Sequence, residues 1–116
     1  MDDRELLEMA VKACGGKVLS RNDFGDLYQI GERQLFWAPL DDDGDALWLS
    51  VQLGLSVERS RFVVHVSAMP TEDQADADER GAFLSAESLG KGALCPFKAT
   101  RRAIVRAAAE IGKAMP

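Results

Sequence analysis

Cysteine, histidine and aromatic side chains are scarce in this chain of 116 residues: two cysteines, one histidine, and 7 % Phe, Trp and Tyr. Cys14 and Cys95 stand far apart, and neither has a second cysteine or a histidine at zinc-ligand spacing. That pattern excludes a zinc finger and a CxxC redox motif, and the thiols are expected to be reduced. No segment repeats, so a solenoid is excluded. No apolar run approaches the roughly 18 residues that span a bilayer. Met1-Asp2-Asp3-Arg4-Glu5 lacks the basic start of a signal peptide, which predicts a cytoplasmic protein. What is present is a hydrophobic fraction of 47 %, too high for a disordered chain, in a length that suits one domain, residues 1–116, with its own core.

The formal net charge of −5 is unevenly spread. Residues 91–116 carry Lys91, Lys98, Arg101, Arg102, Arg106 and Lys113 against Glu110, a net of +5, and residues 1–90 carry −10. An acidic body therefore ends in a basic tail, and the mean describes neither.

Helical spacing of Leu6, Met9, Ala10, Ala13 and Cys14, behind Asp2 or Asp3 as a cap, predicts a first helix that Gly15-Gly16 ends. Short strands are predicted at Lys17–Ser20, Asp26–Ile30 and Gln34–Trp37, joined as an antiparallel meander. Residues 46–58 satisfy two periods at once. Leu47, Leu49, Val51, Leu53, Leu55 and Val57 alternate as in a strand, while Ala46, Leu49, Ser50 and Leu53 share a helix face. The acidic start at Asp43-Gly44-Asp45, the stop at Gly54 and the preference for leucine over β-branched residues decide for a helix over Asp45–Leu53. Strands Leu55–Glu58 and Arg61–Ser67 should follow. The acidic stretch 70–81 reads as a solvated loop or short mobile helix, Ala82–Ser85 as an edge strand, and Ala99–Ala114 as a final amphipathic helix. On that helix Ile104, Ala107, Ala108, Ile111 and Met115 form the apolar face, and Lys98, Arg102, Arg106 and Lys113 the opposite one.

Few constellations carry chemistry. Asp41, Asp43 and Asp45 alternate as calcium ligands do, but an EF-hand counted from Asp41 would need Gly and Glu where Ala46 and Gln52 stand. A capped turn explains these carboxylates; a weak metal site or an acidic contact patch are the alternatives. His65 has no neighbouring nucleophile or orienting carboxylate, and Ser20, Ser85 and Ser88 lack the surroundings of a nucleophile elbow. Leu89-Gly90-Lys91-Gly92 lacks the spacing of a phosphate loop. Arg101 and Arg102 fall in the first turn of the final helix, where the helix dipole disfavours cations by up to about 1 kcal/mol. Either an internal acid, from the 72–79 loop or the 41–45 turn, or an external anion should answer them. No aromatic interleaves this stripe, which argues against base stacking. Trp37 and Trp48 are core candidates; both at the surface, they would make a binding hot spot.

The blocks Trp37-Ala38-Pro39-Leu40-Asp41-Asp42-Asp43-Gly44-Asp45-Ala46-Leu47, Leu53-Gly54 and Ala99-Thr100-Arg101-Arg102-Ala103-Ile104-Val105-Arg106-Ala107-Ala108-Ala109-Glu110-Ile111-Gly112 resemble small proteins of tailed phages and bacterial prophages. The resemblance implies an accessory protein made in the bacterial cytoplasm, and brings no catalytic residues with it. It also favours the helical reading of 45–53.

The expected fold is α+β: one antiparallel sheet of four to five strands, packed by N- and C-terminal helices and crossed by a short middle helix. The expected function is non-enzymatic, a phage or prophage accessory protein that binds a host or phage protein and needs no cofactor. Lys98, Arg101, Arg102, Arg106, Lys113, Trp37 and Trp48 are the candidate binding residues. Nucleic-acid binding through the basic helix face is the alternative, and a metal-assisted enzyme at Asp41, Asp43 and Asp45 the third reading.

Overall fold

The computed structural model describes residues 2–21, 25–60, 63–68, 82–88 and 96–116. The chain is α+β, with three helices and six strands among the described residues. Helix α1 spans Asp3–Ala13, and the Asp2 carboxylate caps it by accepting from the Glu5 N–H at 2.9 Å. Strands β1 (Lys17–Ser20), β2 (Leu27–Ile30) and β3 (Arg33–Phe36) form the expected meander. Residues 43–52 are helical: α2 covers Asp43–Gln52, with Asp42 as its cap accepting from the Asp45 N–H at 2.8 Å. Gly54, at φ +62°, turns the chain back from α2 into β4 (Leu55–Arg59), a conformation that a Cβ disfavours. Strand β5 (Val63–Ala68) and strand β6 (Ala82–Ser88), three residues longer than its pattern suggested, complete the second meander. The final helix α3 runs over Pro96–Ala114, one turn earlier than expected. The acidic stretch 70–81 lies wholly outside the described residues, as does Cys95.

The described strands do not join into a single sheet of four to five. They make two three-stranded antiparallel sheets, ordered β1-β2-β3 and β4-β5-β6. Each is a self-contained meander of local hairpins, and α2 stands between β3 and β4 in the chain. Local pairing satisfies the backbone without a further crossover.

Helix α3 is the centre of the molecule. Ala99, Ala103, Ile104, Val105, Ala107, Ala108, Ala109 and Gly112 are all buried. This arc is broader than the predicted stripe, because α1, α2, β5 and β6 all pack on α3. Met115, expected inside, is 38 % exposed at the end of the chain. Gly112 marks the crossing of α1 and α3, where a Cβ would run into the Met9 carbonyl. On the second sheet Val57, Val64, Val66 and Ser85 share the inner face with Arg59 and Glu87, following the register Val57↔Val66↔Ser85 and Arg59↔Val64↔Glu87. Ser85 is buried there and donates to the Ala103 carbonyl at 2.6 Å, tying β6 to α3. Leu6, Ala10, Val11, Tyr28, Ile30, Trp37 and Leu49 continue the same core.

Candidate functional site

The arginines of the basic stripe are answered from within the fold. Arg101 donates through Nε to the Leu40 carbonyl at 2.9 Å and through a terminal nitrogen to Asp43 at 2.6 Å. The turn at 41–45 is thus one of the two internal acids foreseen, and the other, residues 72–79, is not described. Arg102 meets Asp3 at 3.2 Å and Glu87 at 3.7 Å, and Arg106 meets Glu87 at 2.6 Å. Glu87 receives two arginines because β6 extends past Ser85, which places it on the face toward α3. Each part-exposed pair contributes only about 0–1 kcal/mol. Because α3 starts at Pro96, Arg101 and Arg102 lie in its second turn rather than the first, where the expected dipole cost has already fallen away. Lys98 is exposed and has an interaction partner. Lys113 sits in the last turn, where the helix dipole favours a cation.

The acidic cluster is likewise engaged. Asp42 caps α2, Asp45 accepts from the Ala38 N–H at 2.9 Å, Asp43 pairs with Arg101, and Asp41 is exposed. Among the described residues no three His, Cys, Asp or Glu side chains assemble a metal site. Burial raises the Cys14 thiol to about 11, which leaves it a weak nucleophile at neutral pH. His65 lies exposed on β5, across from Glu58 in the register.

The two tryptophans do not form a surface pair. Trp37 is 3 % exposed and meets Tyr28 edge-on, ring centroids 5.4 Å apart at 79°. Burial first, and the Asp26 carboxylate second, push the Tyr28 phenol up to about 12. Trp48 is 37 % exposed beside a cleft of about 210 Å³ that Trp37 backs from inside. Trp37 belongs to the core because the chain turns at Pro39 and lays it against β2 beneath the start of α2.

Among the described residues, an apolar surface stays open elsewhere. A groove of about 450 Å³ opens between α2, β4 and the first turns of α3. Ala46, Leu47 and Ser50 form its α2 wall, and Val57 and Arg59 its β4 wall. Phe97, Thr100 and Ile104 close the α3 side, with Asp43 and Arg101 on the rim. Leu47 is 63 % exposed, Phe97 68 %, and Val51, one turn beyond Leu47 on α2, 73 %. Leu47 and Phe97, apolar and this open, stand at one concavity, an exposure that is costly in water. The groove exists because α3 covers β5 and β6 while the inner face of β4 stays half open, with Val57 37 % exposed.

Sequence reasoning missed this site, although its signal was present. The alternation that made 46–58 ambiguous leaves Leu47, Trp48 and Val51 off the face made by Ala46, Leu49 and Ser50 once the segment is helical. The described residues leave that second side of α2 exposed.

No family model, curated protein or solved structure matches this chain. Among the described residues, no helix is long and apolar enough to cross a membrane.

Proposed function

We propose that the protein is a non-enzymatic binding module that holds a protein partner in the groove between α2, β4 and α3. The observation that carries this reading is the pair of open apolar side chains, Leu47 and Phe97, at a concavity that Val57 and Ile104 also line, with exposed Val51 one turn along α2 from Leu47. Several side chains weighed for catalysis have structural roles: Ser85 bonds the Ala103 carbonyl, Asp43 pairs with Arg101, Asp45 ties the start of α2, and burial keeps the Cys14 thiol protonated at neutral pH. The phage-like blocks add a context, an accessory protein acting in the bacterial cytoplasm on a host or phage protein. Nucleic-acid binding through α3 has less support, because Arg101, Arg102 and Arg106 already meet carboxylates.

The test compares the tagged wild-type protein with a Leu47→Asp/Phe97→Asp double variant as baits in bacterial lysate. Both positions are open to solvent, so the variant should fold. A stoichiometric partner retained by wild type and lost by the variant is the expected result. A partner held equally by both would place binding elsewhere, and a gel shift at low salt that vanishes with the stripe changed to alanine would move it to nucleic acid.

A further inference from the structure

We infer that the groove takes its partner as an extended segment that adds to the open edge of β4, with apolar side chains at alternate positions and a carboxylate opposite Arg59. The inference rests on the binding reading above and specifies how the groove is filled. Three observations carry it.

The first is the edge. In the order β4-β5-β6, β4 pairs on one side only, and the described residues place no strand on its other side. The hairpin closes with the Ser60 N–H donating to the Val63 carbonyl at 2.9 Å, which sets the phase of the antiparallel ladder. Counting back through Arg59↔Val64, Glu58↔His65, Val57↔Val66 and Ser56↔Ser67, the backbone groups of Glu58 and Ser56 point to β5. Those of Arg59, Val57 and Leu55 point outward, a row of donors and acceptors spaced to receive a strand.

The second is coincidence of edge and groove. Val57 and Arg59, whose backbone groups face out, are also the residues whose side chains line the groove. A strand laid about 4.8 Å beyond β4 would send every second side chain to the same inner face, between Leu47 on α2 and Phe97 on α3. A helix in the groove would leave the β4 row unpaired.

The third is charge. On the rim Asp43 and Arg101 neutralise one another at 2.6 Å, whereas Arg59 is exposed and has no ion-pair partner among the described residues. The groove thus offers one uncompensated cation at its β4 end, which selects an acidic residue in the occupant.

A library of short random peptides, displayed and counter-selected on the Leu47→Asp/Phe97→Asp variant, supplies the probe, and one enriched peptide is then made with a fluorescent label. The expected sequences alternate apolar and polar residues and carry Asp or Glu. With the labelled peptide bound, amide exchange should slow at Val57 and Arg59 and stay unchanged at Ser56 and Glu58, which β5 already protects. Val57→Pro removes an outward N–H that the hairpin does not use and should weaken the peptide tenfold or more. Arg59→Glu should weaken it similarly and turn a repeated selection toward basic peptides. Should Val57→Pro fail to fold, the amide pattern and the Arg59 reversal decide. Enrichment at helical spacing, uniform exchange along β4, or full binding by a folded Val57→Pro protein would overturn strand addition while leaving the groove as a binding site. No enrichment over the double variant would overturn it too. Self-association broken by Leu47→Asp and displaced by no peptide would make a second copy the occupant and likewise overturn it.

Discussion

The outer face of α3 and the outer face of α2 make opposite use of their side chains. Along α3 the conspicuous charges are matched: Asp43, Asp3 and Glu87 stand against Arg101, Arg102 and Arg106. Along α2 the side chains are unremarkable in type, yet Leu47 and Val51 are left in water beside an apolar groove. A charge exposed on a surface is cheap because water solvates it, so its presence alone says little about binding. An exposed leucine and phenylalanine lining one groove are harder to explain without a partner. The difference teaches that the informative surface is the one the fold leaves unsatisfied.

Breaking the comparison begins where α3 is most tightly held. Gly112→Ala drives a methyl group into the Met9 carbonyl and should destabilise the protein by about 3 kcal/mol or more, read as a lowered denaturant midpoint. An unchanged midpoint would mean that the α1–α3 crossing is looser than drawn. On α2, Leu47→Asp should alter stability by about 0.5 kcal/mol or less and yet cost partner binding tenfold or more, because the residue is open in the free protein. A large loss of stability there would show the face to be covered within the fold.

Smaller effects test the matched side. Glu87→Ala removes the carboxylate shared by Arg102 and Arg106 and should cost about 1 kcal/mol, reduced in high salt. The same variant should strengthen low-salt binding of a nonspecific DNA duplex if Glu87 is what occupies the stripe; unaltered binding would separate the two. The smallest effect is one of pH. The folded pKa of Cys14 is raised from 9 to about 11, so the unfolded chain loses its proton first as pH rises. Its contribution is complete below about pH 9 and lost through about pH 11, and Cys14→Ala should flatten that part of the stability profile in chemical denaturation. Tyr28, raised to about 12 from 10, extends the same alkaline decline.

Much of the fold was legible in local signals. Asp2 as a cap, the acidic start of α2, the Gly54 stop and the two-residue periods of β2 and β5 are short-range features, and they survive in the structure. The grouping of strands was not legible, since hairpin signals give neighbours within a meander but do not say whether two meanders merge. The candidate site was less legible still. Trp37 and Trp48 stand eleven positions apart with similar prospects, and only the turn through Pro39 buries one and leaves the other open. The partners of the arginines came from Asp3 and Glu87, 99 and 15 residues from Arg102 in sequence. No local pattern carries that information.

By itself, then, the sequence determined an α+β chain with a capped first helix, a helix in place of a strand near residue 50, and a basic amphipathic helix at the end. Those depend on periodicity and capping, which act over a few residues. Tertiary structure alone decided that three arginines of the basic tail meet carboxylates of the acidic body across α3, and that among the described residues an apolar groove stays open beside β4. Both outcomes turn on which faces the packing covers, and coverage is a property of elements far apart in the chain.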